Sequence, residues 1–160
     1  MAVESRANST TGRRLLRAWS LLAGIDFLWA VALSLSHGQP AMSAFRGVAT
    51  VAFAPTWMPE IAPSAMLGVV LHLGVAFTWA TVYLVLQHRS RWLTRVSSTR
   101  GGQAAIAVAY GPFIWIVMST LEIPVMTGAA AIFSARWVIQ LVGHVFFVGL
   151  PVVLGAARAS

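Results

Sequence analysis

LGVVLHLGVAFTW occupies residues 67–79, and a single histidine, His72, interrupts its run of apolar side chains. The apolar run extends on both sides, from about Ala62 to Gln87, and exceeds the roughly 20 residues that a membrane-crossing helix needs. Three further stretches meet the same criterion, so the sequence predicts spans at about residues 15–36, 62–87, 103–126 and 136–157. Membrane strands are not expected, because the runs are continuous and do not alternate in short segments. The predicted fold class is all-α, an integral membrane four-helix bundle.

The composition also indicates a membrane protein. Of the 160 residues, 58% are hydrophobic and 9% are charged, whereas a soluble domain carries about 25% charged residues. The formal net charge of +7 comes from eleven arginines that flank the apolar runs. We therefore expect the arginines to face an anionic lipid bilayer and expect no nucleic-acid partner. There is no cysteine, which excludes disulfides, thiolate catalysis and cysteine-ligated metals.

The arginines also predict the orientation of the chain. Only Arg46 and Arg136 fall on one side of the four spans, and nine fall on the other: Arg6, Arg13, Arg14, Arg17, Arg89, Arg91, Arg95, Arg100 and Arg158. Because cytoplasmic loops carry an excess of Lys and Arg, both termini are predicted to be cytoplasmic. The predicted localisation is the bacterial inner membrane, with multiple passes.

Two segments outside the spans have their own predictions. Residues 1–12 are polar and are predicted to be a disordered cytoplasmic N-terminus, with one domain over residues 13–158. The first outer loop, from His37 to Pro63, contains an apolar stretch too short to span, which predicts a short re-entrant or interfacial helix. An alternative interpretation makes the first apolar run a signal peptide, but the run is long for one and Asp26 interrupts it.

Each predicted span carries small or polar residues along one face, at the spacing that turns them toward the other helices. At 1.5 Å per residue, Asp26, His72 and His144 lie about 16, 13 and 12 Å below the same end of the bundle. An unpartnered ionised carboxylate is costly in hydrocarbon, so Asp26 is expected to be protonated or paired with a histidine. We therefore predict a buried polar cluster of Asp26, His72, His144, Gln140 and Ser119.

Three residues are predicted at the outer mouth of this cluster: Glu122, Arg46 and Arg136. Glu122 alone is more typical of a surface ion pair with Arg136 than of a gate. Two interpretations of the cluster stay open. In the first, its hydrogen bonds stabilise the packing of the helices, and each contact contributes about 1 kcal/mol. In the second, it is a proton path or a sensor of external pH. Below Asp26 the sequence offers few polar residues, which favours a sensor over a complete conduit.

A cofactor is the main alternative to a simple polar cluster. His72 and His144, at matched depth on two helices, could ligate a haem iron, or one of them a chlorophyll-type magnesium. A metal site from Asp26, His72 and His144 has suitable ligand types but no local spacing motif. The common catalytic motifs are missing, so the leading prediction is a non-enzymatic membrane protein that holds no cofactor. The alternative is an accessory subunit of a larger membrane complex, and a homo-oligomer is also left open.

Several segments together resemble the small bacterial inner-membrane proteins of the YagU-like type. They are GIDFLWA in the first span, FRGVATVAF in the outer loop, LGVVLHLGVAFTWATVY in the second span, AYGPFIWIVMSTLEIPV in the third and GHVFFVGLPVVL in the fourth. The matching positions are Gly24, Asp26, Arg46, His72, Tyr83, Tyr110, Gly111, Met118, Pro124, His144, Gly149 and Pro151. The resemblance implies a four-helix inner-membrane protein linked to survival in acid. This chain departs from it at Ser119, where Asn is usual, and at Glu122, where an apolar residue is usual.

Overall fold

A computed structural model describes residues 2–52 and 61–157, and in these residues it is all-helical. Four helical stretches are long and apolar enough to cross a membrane: Thr10–Ser36, Ser64–Arg89, Arg100–Thr127 and Ala135–Ala156. The predictions of an all-α fold and of four membrane helices are thus confirmed, and the chain is a multi-pass membrane protein. Large apolar side chains are exposed along all four stretches, as expected for helices that face lipid.

The chain runs through eight α-helices in the described residues. They are α1 (Ala2–Ser36), α2 (Ser43–Ala52), α3 (Ile61–Arg89), α4 (Arg91–Val96), α5 (Arg100–Val117), α6 (Ile123–Thr127), α7 (Ala135–His144) and α8 (Leu150–Ala156). A π turn, Met118–Glu122, joins α5 to α6, and a second π turn, Val145–Gly149, joins α7 to α8. The third and fourth membrane stretches therefore each consist of two α-helices joined by a π turn.

The N-terminal segment differs from its prediction. Residues 1–12 are predicted to be disordered, whereas the structure describes residues 2–12 as part of the same helix as the first span. The segment contains no proline, and extending an existing helix needs no new nucleation. A short helix in the first outer loop is present as α2, while Pro55 and Pro59, which bound the apolar loop segment, lie outside the described residues, as does Arg158.

Arginines near the start of α1 close one end of the bundle. Arg14 Nε donates to the carbonyl of Ala156 over 2.9 Å, and its guanidinium also bonds the side chain of Gln87. Arg17 donates to the carbonyls of Leu154, Gly155 and Ala157. The last carbonyls of a helix have no partner within the helix and carry partial negative charge, so these bonds satisfy the end of α8. We call this the arginine-rich end, because it holds Arg14 and Arg17 of α1 and also α4, which contains Arg91 and Arg95.

Glycines set how closely the helices approach. A Cβ at Gly155 would collide with the backbone of Ala18, and one at Gly149 would collide with the carbonyl of Ala107. The fourth membrane stretch therefore packs against α1 on one side and against α5 on the other. Helices in lipid associate through such small residues, since lipid gives no hydrophobic drive to pack them. The end of the bundle opposite the arginine-rich end holds α2 and the functional candidates.

Candidate polar site

The central feature of the candidate site is a contact between two spans. Asp26 of α1 and His72 of α3 approach with Oδ2 and Nε2 3.7 Å apart, and their side chains are 21% and 12% exposed. The separation is longer than a hydrogen bond, and no hydrogen-bond partner of His72 Nε2 is found among the described residues. The structure thus brings Asp26 close to one of the two histidines of the predicted cluster.

The short helix α2 packs directly over this pair. The ring of Phe45, which is 1% exposed, contacts the His72 ring edge-on with centroids 5.3 Å apart. The same ring stacks on Phe27, the residue after Asp26, at 4.5 Å. Gly68 lies one turn before His72, and a Cβ there would collide with the Phe45 carbonyl. The missing side chain at Gly68 therefore lets α2 approach α3 closely. Phe45 contacts His72 of α3 and Phe27 of α1.

His144 belongs to a different set of contacts. Its Nδ1 lies 2.7 Å from the carbonyl of Gln140, one turn earlier on α7, and its ring packs against Trp115 with centroids 5.0 Å apart. The Gln140 side chain accepts a hydrogen bond from Trp29 Nε1 over 3.1 Å. The absent side chain of Gly143 makes room for the same indole. His144 thus contacts α7 and α5, and among the described residues its hydrogen bond and ring contact are with Gln140 and Trp115 and not with Asp26 or His72.

Ser119 completes this second set. Its hydroxyl donates to the carbonyl of Trp115 over 2.7 Å and accepts from Trp137 Nε1 over 2.9 Å. Trp115 Nε1 in turn donates to the carbonyl of Trp137 over 3.1 Å. The structure therefore divides the predicted five-residue cluster in two: Asp26 with His72, and His144, Gln140 and Ser119 with three tryptophans.

Both sets line one cavity of about 740 Å³. The predicted residues on its wall are Asp26, His72, His144, Gln140, Ser119 and Arg136. Four tryptophans also line it: Trp29, Trp79, Trp115 and Trp137. The cavity reaches the loops at the end opposite the arginine-rich end, since Gln39 and residues 129–132 form part of its wall. Among the described residues, the hydrogen bonds and ion pair of the two sets do not join one set to the other.

The predicted outer mouth is only partly assembled. Arg136 lines the cavity, whereas Arg46 and Glu122 do not. Within the described residues no cation lies within 4.0 Å of the Glu122 carboxylate, so the expected ion pair with Arg136 is not formed. Glu122 ends the π turn that precedes Pro124. One extra residue in that turn rotates Glu122 away from the face that carries Ser119.

The geometry also bears on metals and cofactors. Among the described residues, no group of three His, Cys, Asp or Glu side chains is placed to hold a metal ion. An axial ligand needs a free imidazole nitrogen, and His72 directs its Nε2 at Asp26. His144 bonds its own helix through Nδ1, so its Nε2 could act as an axial ligand. Ligation of haem by both histidines would replace the 3.7 Å approach of His72 Nε2 to Asp26.

Sequence reasoning missed the part that α2 plays. Phe45 and Ala49 are buried one turn apart on α2, and this i, i+4 spacing of apolar residues was the available signal. The hydrogen bonds of Trp29, Trp115 and Trp137 were also not predicted, although each tryptophan stands on a polar face of its span.

Comparison with known proteins adds no assignment. No family model, no curated protein and no solved structure matches the chain. The YagU-like resemblance therefore stays a prediction, and the proposal below depends on the geometry alone.

Proposed function

We propose that this chain is a non-enzymatic membrane protein in which the Asp26–His72 pair responds to pH. The observation that carries the proposal is the placement of the pair: Asp26 Oδ2 and His72 Nε2 are 3.7 Å apart on the wall of a large cavity. His72 of the pair also contacts Phe45 of α2, a helix that is short and lies outside the four membrane stretches. Proton binding at the pair can therefore be transmitted to α2.

The charge of the pair sets the direction of the response. With one proton on His72 or shared between the two groups, the pair has no net charge. A second proton gives it a charge of +1, and loss of both gives −1. A net charge in a low-dielectric site is costly unless water or a partner reaches it. Acidification is therefore expected to separate Asp26 from His72 and to loosen the packing of Phe45.

The side of the membrane that is sensed depends on the orientation. Under the positive-inside rule, nine arginines against two place the cavity end outside the cytoplasm. We therefore propose a response to external acidity, in the bacterial inner membrane, with both termini cytoplasmic. The acid-survival link implied by the YagU-like resemblance agrees with this direction.

A single-cysteine fluorescence titration tests the proposal. The chain has no cysteine, so Gly47→Cys gives one labelling site on α2, where a Cβ would meet nothing within 4 Å. We expect the emission of an environment-sensitive label to titrate between about pH 4 and 8, and Asp26→Asn to shift the midpoint of that titration or abolish it. The matched control is Glu122→Gln, which neutralises a carboxyl group that does not line the cavity.

A label at Gly101→Cys, at the arginine-rich end, should report no titration. If the label at residue 47 titrates identically in the parent chain and in Asp26→Asn, the pair is not the sensor and the proposal is wrong.

A pigment or haem subunit is a second candidate, favoured by one observation. His144 lines the cavity and bonds only its own helix through Nδ1. A bound tetrapyrrole would give a Soret-type absorption band in the purified protein, and His144→Ala would remove it, whereas His72→Ala would leave it. A colourless protein purified from its own membrane would exclude this candidate.

A further inference from the structure

A second cleft extends from α4 at the arginine-rich end, and it shares no lining residue with the cavity of the polar site. It has a volume of about 410 Å³ and lies among α3, α4 and α5. Its walls are almost wholly apolar: Leu86, Trp92, Leu93, Ile106, Ala109 and Phe113 contribute to them. The small side chains of Ala105 and Ala109 leave space that larger residues would fill. This cleft takes no part in the proposed response to pH.

Aromatic side chains keep the cleft open by spacing α3 and α5. Tyr110 Oη of α5 donates to the carbonyl of Trp79 on α3 over 2.7 Å. The rings of Tyr83 and Tyr110 meet between the helices with centroids 5.2 Å apart. Because large rings bridge the two helices, their backbones stay apart, and the gap remains beside the rings. The cleft is thus a product of the bridging contacts.

The size of the cleft limits what can occupy it. A helix is about 10–12 Å wide with its side chains and rises 5.4 Å per turn, so one turn fills about 420 Å³ or more. The cleft at about 410 Å³ is no larger than that. A partner helix of several turns would leave it mostly unfilled along its length. A single hydrocarbon chain, which is narrow and apolar, suits these walls.

The charges beside the cleft identify the headgroup. Arg91 and Arg95 stand one turn apart on α4, are exposed, and adjoin Trp92 and Val96, which line the cleft. Neither arginine has an ion pair within 4.0 Å among the described residues. The sequence from residue 61 to residue 121 contains no Asp or Glu at all. No acidic side chain from the packed helices α3 and α5 is therefore available to neutralise them, and a phosphate is the natural partner.

We propose that this cleft binds one acyl chain of an anionic phospholipid, with the headgroup phosphate held by Arg91 and Arg95. Trp92 is 69% exposed beside them, at the level where amphipathic rings meet lipid headgroups. The lipid would join α3 to α5 where their own contact is incomplete. The site needs only that the arginine-rich end faces a leaflet with anionic lipid.

Native mass spectrometry of the purified full chain tests the site, with phosphatidylglycerol and phosphatidylcholine of identical acyl chains as probes. We expect one phosphatidylglycerol to be retained in preference to phosphatidylcholine. Each arginine near an anionic headgroup is worth about fivefold in affinity, so Arg91→Gln with Arg95→Gln should weaken phosphatidylglycerol binding about 25-fold. The matched control removes the same charge elsewhere: Arg46→Gln with Arg136→Gln should leave binding unchanged.

A second variant tests the acyl-chain part of the site without any change in charge. Ala109→Leu adds bulk to the wall, and it should reduce the retention of phosphatidylglycerol. Glycerol phosphate, a headgroup without acyl chains, should bind the variant with the same affinity as it binds the parent. Equal retention of the two lipids by the parent chain would overturn the proposal. So would a control variant that loses as much binding as the Arg91 and Arg95 variant, or an Ala109→Leu variant with the affinity of the parent.

Discussion

The contact between α2 and α3 predicts a strong effect of one methyl group. Gly68→Ala would place a Cβ against the carbonyl group of Phe45, with the Phe45 Cα only 3.0 Å away. These atoms belong to the backbone, so no rotation of a side chain can relieve the collision. The whole of α2 must move away from α3, and Phe45 must then leave the His72 ring.

The magnitude follows from two opposing contributions. Forcing additional volume into a packed contact costs about 1–3 kcal/mol, and a collision with backbone belongs at the upper end of that range. Replacing Gly by Ala in a helix returns up to about 1 kcal/mol. The net loss in the free energy of unfolding is therefore about 2 kcal/mol, or about 30-fold in the equilibrium constant.

Gly74→Ala is the matched control, because it makes the same chemical change six residues later in α3, where a Cβ would meet nothing within 4 Å. This variant should be as stable as the parent or more stable by up to about 1 kcal/mol. The assay is unfolding by sodium dodecyl sulfate in mixed micelles, followed by circular dichroism. Equal stability of the two variants would show that α2 does not pack on α3 at Gly68, and the proposed route from His72 to α2 would fall with it.

Two further predictions concern hydrogen bonds between spans, and both are measured as free energies of unfolding in the same assay. Tyr110→Phe removes the bond to the carbonyl of Trp79 and should cost about 1 kcal/mol. Tyr83→Phe, its control, should cost nothing, because the hydroxyl of Tyr83 has no hydrogen-bond partner among the described residues; a larger loss for Tyr83→Phe would contradict this pairing. Arg14→Gln removes charged donors from the carbonyl of Ala156 and should cost about 2 kcal/mol, whereas an unchanged stability would mean that these bonds do not hold α8 in place.

The sequence predicted the four spans well because the signal for a span is local. Length and hydropathy alone placed the second span at about residues 62–87, and the structure has Ser64–Arg89. The short helix in the outer loop was predicted for the same reason, since its apolar residues stand between glycine- and proline-containing segments. The bonds of Arg14 were not predicted, because the positive-inside rule assigns a side of the membrane to an arginine and gives it no partner.

For the candidate site, the sequence predicts how deep each residue lies in the membrane better than it predicts which way its side chain points around the helix axis. Depth changes by 1.5 Å per residue, so an error of one residue is small, whereas the same error turns a side chain by about 100°. The first two spans run as unbroken α-helices through Asp26 and His72, and their predicted meeting agrees with the structure. His144 was placed at a suitable depth, yet its contacts are made with Trp115 and Gln140.

The error at Glu122 has a cause that the sequence contains. Proline lacks a backbone N–H and clashes with the carbonyl four residues before it. In the third stretch the π turn Met118–Glu122 comes just before Pro124, and in the fourth the π turn Val145–Gly149 comes just before Pro151. In each, the residue after the turn bonds back five positions and not four, which adds one residue to that turn. Polar faces drawn at α-helical spacing therefore hold up to the π turn and fail beyond it: Ser119 lies at its start and reaches the cavity, whereas Glu122, three residues later, does not. A proline in a membrane span thus marks where the predicted face of the helix must be redrawn.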